Sequence, residues 1–150
     1  MAIYHFSIKP ISRGDGRSAV AAAAYRSAQI LDDHRYGKVQ DYARKSGVEL
    51  SQIYAPADTA PDLLDRNKLW NTVEKSENRK DACLAREFEI AFPNELNEQQ
   101  RKAMLDELCK QIVNKYAVVV DASIHAPHTE VGSDERNYHA HIMFTTRAID

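Results

Sequence analysis

The chain has 150 residues, the length of a single domain that can bury a substantial core, and its composition is typical of a soluble globular protein. It contains no apolar run long enough for a membrane span, and its first residues lack a signal-peptide pattern. The net charge is −2, but residues 1–50 carry 8 Lys/Arg against 5 Asp/Glu and the other 100 carry 12 against 17. We therefore expect a polyanion, if one binds, to contact the first third of the chain.

The N-terminal region predicts a strand followed by a helix. Alternating apolar residues indicate a strand over residues 2–11, and two glycines mark a turn over 12–16. Residues 17–28 have very high helix propensity. Because nearly every side chain in that helix is small, it can lie close against a sheet, and the large polar-tipped residue that it presents is Tyr25.

The rest of the chain alternates between strands and helices. Residues 31–47 are polar and predict an exposed excursion. Hydrophobic periodicity and capping residues then predict strands over 48–54, 84–92, 117–125 and 137–144 and helices over 62–81 and 97–115. This order favours an α+β fold in one domain over residues 1–150, with helices on one face of an antiparallel sheet and polar side chains on the other.

The last two strands contain three histidines that predict a metal site. His139 and His141 project from the same face of one strand, and His125 ends the preceding strand. If the two strands pair antiparallel, with the 126–137 loop closing the hairpin, the three imidazoles meet. A three-histidine site leaves coordination positions open, which is typical of a reactive metal. His-x-His in a strand is more often ordinary sheet chemistry, and we interpret His128, in the loop, as a surface residue.

Other polar residues would suit phosphoryl transfer if the fold places them beside the three histidines. Glu87 or Glu89 would orient a histidine or accept a proton, and a nearby cation would ease ionisation of Tyr25. A phenolate aligned with a phosphodiester fits a reaction in which positioning and charge neutralisation dominate. Each residue alone has a simpler interpretation: a buried helix tyrosine or a solvated strand face.

Three ordered motifs resemble MobA/MobL-type plasmid mobilisation relaxases, which belong to the HUH endonucleases. The motifs are Met1–Phe6 with Gly16–Arg26, Leu84–Glu89 with Phe92–Leu96, and Asn137–His141. The resemblance implies a nickase that cuts one strand of single-stranded DNA at a plasmid origin of transfer. It implies that Tyr25 is the nucleophile, that a 5′-phosphotyrosine link forms, and that the reverse reaction religates the strand.

The resemblance also implies a set of site residues and partners. His125, His139 and His141 would hold a divalent metal, with Glu87, or else Glu89, as base or orienting partner. Mn²⁺ or Mg²⁺ is expected in function, although imidazoles bind Zn²⁺, Ni²⁺ or Cu²⁺ more tightly. Expected partners are origin DNA with an adjacent hairpin, relaxosome accessory proteins and a type IV secretion coupling protein. The expected location is the bacterial cytoplasm, with transfer to the recipient cell.

Five basic residues are expected to neutralise DNA phosphates: Lys9, Arg13, Arg17, Arg26 and Arg147. Tyr36 and Tyr42 are DNA contacts or simply exposed. Such relaxases are usually longer, so we expect the chain to be the N-terminal catalytic part of a longer protein, and reduced thiols are expected at Cys83 and Cys109.

Two other functions remain open. A rolling-circle replication initiator would use the same chemistry, but in that class the tyrosine usually follows the histidine motif. The other alternative is a DNA-binding module without catalysis, in which the histidines hold a structural metal.

Overall fold

The computed structural model describes residues 6–127 and 137–148 and contains a five-stranded sheet and a separate β-hairpin. The elements are β1 (Phe6–Ser12), α1 (Ala19–Ser27), β2 (Ile30–Asp33), β3 (Lys38–Asp41), β4 (Val48–Tyr54), α2 (Arg66–Ser76), β5 (Cys83–Ala91), α3 (Glu98–Tyr116), β6 (Val120–His125) and β7 (His139–Phe144). Short 3-10 helices cover Arg13–Asp15 and Pro61–Leu64.

The sheet has the order β1-β5-β7-β6-β4, and every neighbouring pair is antiparallel. The two histidine-bearing strands lie at its centre. The predicted antiparallel α+β fold is therefore confirmed. Residues 1–5 and His128, for which the sequence also gave predictions, lie outside the described part of the chain.

Helices cover both faces of the sheet, whereas the sequence predicted cover on one. α3 packs its inner side, including Leu105 and Ile112, on the face that carries Ala140 and Ile142, as its periodicity indicated. α1 and α2 pack on the opposite face, where Trp70 joins a second core with Met143. The small side chains of α1 explain this placement, because they let the helix backbone approach a face that also carries polar groups.

Polar caps fix the start of each helix. Ser18 accepts a hydrogen bond from the backbone of Ala21 at the start of α1, and Asp65 does the same for Lys68 in α2. Asn97 and Gln100 form a reciprocal capping box on α3. Because an N-cap supplies an acceptor for an otherwise unpaired backbone N–H, these residues fix where each helix begins.

The predicted polar excursion over 31–47 is wrong in one respect: it contains the β2–β3 hairpin, in which Leu31 pairs with Gln40. The buried carboxylate of Asp33 anchors this hairpin to α1, because it accepts hydrogen bonds from Ser18 Oγ (2.7 Å) and Gln40 Nε2 (3.0 Å). No helix in the described ranges is long and apolar enough to cross a membrane.

Candidate active site

The sheet brings the predicted histidines and glutamates to one face. His125 pairs with His139 across β6 and β7, and the rings of His125 and His141 lie 4.5 Å apart between centroids. On the other side of β7, Glu89 pairs with His141. The alternation of side chains along neighbouring strands therefore places imidazoles and carboxylates side by side.

The last turn of α1 docks directly on this group through Arg26. Its guanidinium forms a two-pronged ion pair with Glu87, with Nη2 3.0 Å from Oε1 and Nε on Oε2. Its backbone carbonyl lies 2.8 Å from Nε2 of His125. One residue of α1 thus contacts both a glutamate of β5 and a histidine of β6, and Tyr25 is its neighbour in sequence.

The surroundings set the charge of both contacted groups. Burial, aided by the nearby positive charges of Lys45 and Arg26, lowers the pKa of His125 to about 4, so its imidazole is neutral at physiological pH. Burial opposes ionisation of Glu87, but the neighbouring His141 ring and the ion pair with Arg26 outweigh it and lower the pKa of Glu87 to about 2. A carboxylate held so firmly ionised is a weak base, which favours an orienting role over proton transfer.

The contact with Arg26 determines the tautomer of His125. A carbonyl oxygen only accepts, so the neutral ring donates its proton from Nε2 and keeps a lone pair on Nδ1. Metal-binding histidines characteristically donate their second ring N–H to such a carbonyl or to a carboxylate. In addition, Nδ1 of His141 is buried without a hydrogen-bond partner in the part of the chain that the structure describes, and it lies 3.7 Å from Oε2 of Glu87. The residues therefore fit a bound divalent cation.

Within the described residues, the ligand atoms that lie together, within 4.8 Å of one another, belong to Glu87, Glu89 and His141. The three-histidine set stays a prediction: it shares His141 with this group, and the rings of His125 and His141 lie 4.5 Å apart between centroids. Carboxylate donors suit Mn²⁺ and Mg²⁺, and imidazoles suit Zn²⁺ and Ni²⁺. The geometry indicates a divalent metal without selecting its identity.

Tyr25 lies beside a cleft of about 520 Å³ between α1 and the β2–β3 hairpin, which we call the α1 cleft. The phenol is 48% exposed, so it is not the buried helix tyrosine of the simpler interpretation. Tyr42 meets its ring edge-on at 5.3 Å, and Nζ of Lys45 lies 3.8 Å from its ring centroid. Arg17, Tyr36 and Lys38 also line the cleft.

The structure divides the predicted DNA-contacting residues. Lys9 is exposed on β1 opposite Glu87, and Arg17 is partly exposed in the α1 cleft. Arg26 is engaged by Glu87, and Arg147 is exposed but paired with Glu77 at 2.6 Å.

Arg13 requires a correction, because it is buried rather than available to DNA. Its guanidinium pairs with Glu74 at 2.8 Å, and it also donates to the backbone carbonyls of Glu74, Glu77 and Arg79. These contacts hold the Arg13 guanidinium against the C-terminal end of α2, so a DNA phosphate cannot reach the guanidinium.

The sequence model of the MobA/MobL family matches residues 17–150. The chain belongs to the MobA/MobL family. Mobilization protein MobL of Acidithiobacillus ferridurans is 46% identical over 129 residues, which are 86% of this chain and 33% of that protein. Conjugal transfer protein TraA of Agrobacterium fabrum is 34% identical, over 99% of this chain and 14% of its own length.

A solved structure described as "Molecular Basis of Vancomycin Resistance Transfer in Staphylococcus aureus" superposes with a TM-score of 0.88. It is 34% identical and is matched over 99% of this chain and 73% of its own. The family predicted from the motifs is thus confirmed, as is its fold. The chain spans 33% of the length of MobL of Acidithiobacillus ferridurans and 14% of that of TraA of Agrobacterium fabrum.

Sequence reasoning missed Lys45 and the hairpin that forms the wall of the α1 cleft. The available signal was weak: Gly37 has a positive φ of 61° in the turn between two short strands, and a glycine between alternating residues is typical of a hairpin. Lys45 itself has no signal in the sequence, because its contact with Tyr25 depends on the fold.

Proposed function

We propose that the MobA/MobL-family chain nicks single-stranded DNA at a plasmid origin of transfer, with Tyr25 as nucleophile, and later religates it. The observation that carries the proposal is the docking of Arg26 on both Glu87 and His125, which joins the helix of the nucleophile to the metal-binding face. The relatives named for mobilization and conjugal transfer support the same biological role.

The residues of the site would have separate roles in the reaction. The phenol oxygen of Tyr25 attacks the scissile phosphorus, the bond from phosphorus to the 3′-oxygen breaks, and its electron pair stays on that oxygen. The phenol loses one proton and the 3′-oxygen gains one, which leaves a 5′-phosphotyrosine and a free 3′-hydroxyl. Glu87 holds Arg26, and the carbonyl of Arg26 keeps His125 in the tautomer that offers Nδ1.

His125, His139 and His141 would hold a divalent metal, with Glu87 and Glu89 beside them. The metal would supply positive charge that polarises the scissile phosphate. The exposed Lys9 and Arg17 would neutralise DNA phosphates. A hairpin beside the nick, accessory proteins of the relaxosome, a type IV coupling protein, action in the bacterial cytoplasm and transfer to the recipient complete the proposal.

The test is trapping of the covalent adduct. Wild-type protein with Mn²⁺ and an oligonucleotide spanning its cognate origin should yield a peptide in which Tyr25 is joined to the 5′-phosphate of the DNA on the 3′ side of the nick, detected by mass spectrometry. Tyr25→Phe should form no adduct while its DNA affinity and metal content remain close to wild type. Tyr116→Phe is a matched control, because Tyr116 is about half exposed on α3.

An adduct of undiminished yield in Tyr25→Phe would refute the nucleophile assignment. Wild-type protein that binds metal and the oligonucleotide but never cuts it would instead favour the DNA-binding module with a structural metal.

A further inference from the structure

One turn of the chain presents two side chains to the ring of Tyr25. Tyr42 and Lys45 are joined by a turn hydrogen bond from Lys45 N to Tyr42 O at 3.0 Å. The turn is tied to the chain just after α1 by a hydrogen bond of 3.2 Å from Tyr42 N to the carbonyl of Gln29. The segment after β3 is therefore built against the helix that carries the proposed nucleophile.

The two contacts approach the ring from different directions. Tyr42 packs its ring at 86° to that of Tyr25, edge to face, and Lys45 lies over the ring with Nζ 3.8 Å from the centroid. Nζ of Lys45 also donates to the backbone carbonyl of Tyr25 at 3.1 Å. An ammonium this close to an aromatic face is attracted by the ring quadrupole, and the attraction grows as negative charge develops on the phenol.

Lys45 differs from the other cations near the site. The charge of Arg26 is engaged by Glu87, whereas Lys45 has no carboxylate partner among residues 6–127 and 137–148. The side chain of Lys45 is partly buried, and this burial, followed by the charge of Arg26, lowers the pKa of Lys45. Within residues 6–127 and 137–148, the hydrogen bond and the ring contact of the Lys45 ammonium are both with Tyr25.

We propose that Lys45 is a positioning residue for Tyr25: it fixes the phenol ring at the mouth of the α1 cleft and stabilises the negative charge that the phenol oxygen carries as it attacks phosphorus. The rate effect rests on the proposed function, whereas the fixing of the ring does not. The bonds made and broken are those of the transesterification, and Lys45 neither gains nor loses a proton.

The kinetic test compares Lys45→Met with Lys45→Arg at saturating oligonucleotide. Lys45→Met should slow single-turnover adduct formation by about tenfold, because a cation over an aromatic ring contributes on the order of this factor. Its Kd for the uncleaved oligonucleotide should change by less than the rate does. Lys45→Arg should recover most of the rate, since a guanidinium also stacks on an aromatic face.

A matched control is Lys115→Met, because Lys115 lies over the ring of Tyr116 at 5.4 Å on α3. It should leave the rate unchanged. A Lys45→Met protein with weakened DNA binding and an unchanged rate at saturation would overturn the proposal and make Lys45 a simple phosphate contact. An unchanged rate and unchanged affinity would overturn it as well.

A second readout is independent of cleavage. In protein labelled with ¹³C in its tyrosine rings, the Tyr25 resonance is assigned by its loss in Tyr25→Phe. It should shift in Lys45→Met and stay in place in Lys115→Met. An unmoved resonance in Lys45→Met would overturn the placement of Lys45. If the resonance does shift in Lys45→Met but the wild-type protein forms no adduct, the result would count against the nickase alone.

Discussion

At the scale of single residues, the candidate site depends on which atoms are left free to bind. His125 offers Nδ1 because its Nε2–H donates a hydrogen bond to the carbonyl of Arg26, and Nδ1 of His141 is buried without a hydrogen-bond partner among the described residues. Glu87, in contrast, is occupied by Arg26. These contacts favour imidazole ligation with carboxylates in support.

The two possible donor sets predict different effects of substitutions on Mn²⁺ affinity. If the histidines are the ligands, His139→Ala should abolish stoichiometric Mn²⁺ binding, whereas Glu89→Gln should weaken it by about 10- to 100-fold, as loss of an outer-shell partner does. Isothermal titration calorimetry measures both. His34→Ala is the matched control, because His34 is exposed in the turn after β2. The reverse order, with Glu89→Gln the more damaging, would assign the metal to the Glu87, Glu89 and His141 set.

At the scale of elements, long-range polar contacts connect segments that hydrophobic periodicity treats as separate. Arg13, in the turn after β1, satisfies carbonyls at the end of α2 and pairs with Glu74, which also accepts a hydrogen bond from Ala19 N at 2.8 Å. β1, α1 and α2 are therefore held together by one buried ion pair.

Removal of this pair should be costly. Arg13→Met leaves the carboxylate of Glu74 buried without its cation, and breaking a buried pair in this way destabilises proteins by about 3–5 kcal/mol. The free energy of unfolding from urea denaturation measures the loss. Arg147→Met is the comparison, because its pair with Glu77 is largely exposed on the arginine side and should change stability little. Equal losses in the two variants would contradict the structural role of Arg13.

These elements also explain which parts of the fold could be predicted. Strict alternation over 137–144 and the capping residue Asn97 are local signals, and β7 and α3 lie where they indicated. Arg13 could not be placed, since a basic residue in a glycine-bounded turn is typical of the surface and its partner Glu74 lies 61 residues away. The strands β2 and β3 have four residues each. This length is too short for the alternation of apolar and polar residues to distinguish a strand from a polar loop.

At the scale of the whole molecule, the sheet separates two hydrophobic cores. The core under α3 excludes solvent from Cys109, while α1 and α2 enclose the other core around Trp70. The face of β7 that carries His139 and His141 also carries Met143, which belongs to the second core, so packed side chains support the candidate site.

The rates at which iodoacetamide modifies the two free thiols should test the packing of the core under α3. Burial, and then the charge of Asp106, raise the pKa of Cys109 to about 12, so this thiol is both inaccessible and protonated at neutral pH. Iodoacetamide should modify Cys109 only as fast as the protein unfolds, and faster at sub-denaturing urea. Cys83, which is partly exposed, should react first in native protein, as peptide mass mapping would establish. Rapid native modification of Cys109 would contradict this packing.

The two contacts of Arg26 have a consequence for how this domain can vary in length. α1 begins at the cap supplied by Ser18 and must present the guanidinium to Glu87 and the carbonyl to His125 eight residues later. One inserted residue would rotate everything beyond it by about 100° around the helix axis and remove both contacts together. Insertions and deletions between Ser18 and Arg26 should therefore disrupt the candidate site, because the first helix sets a fixed distance between its cap and the imidazoles.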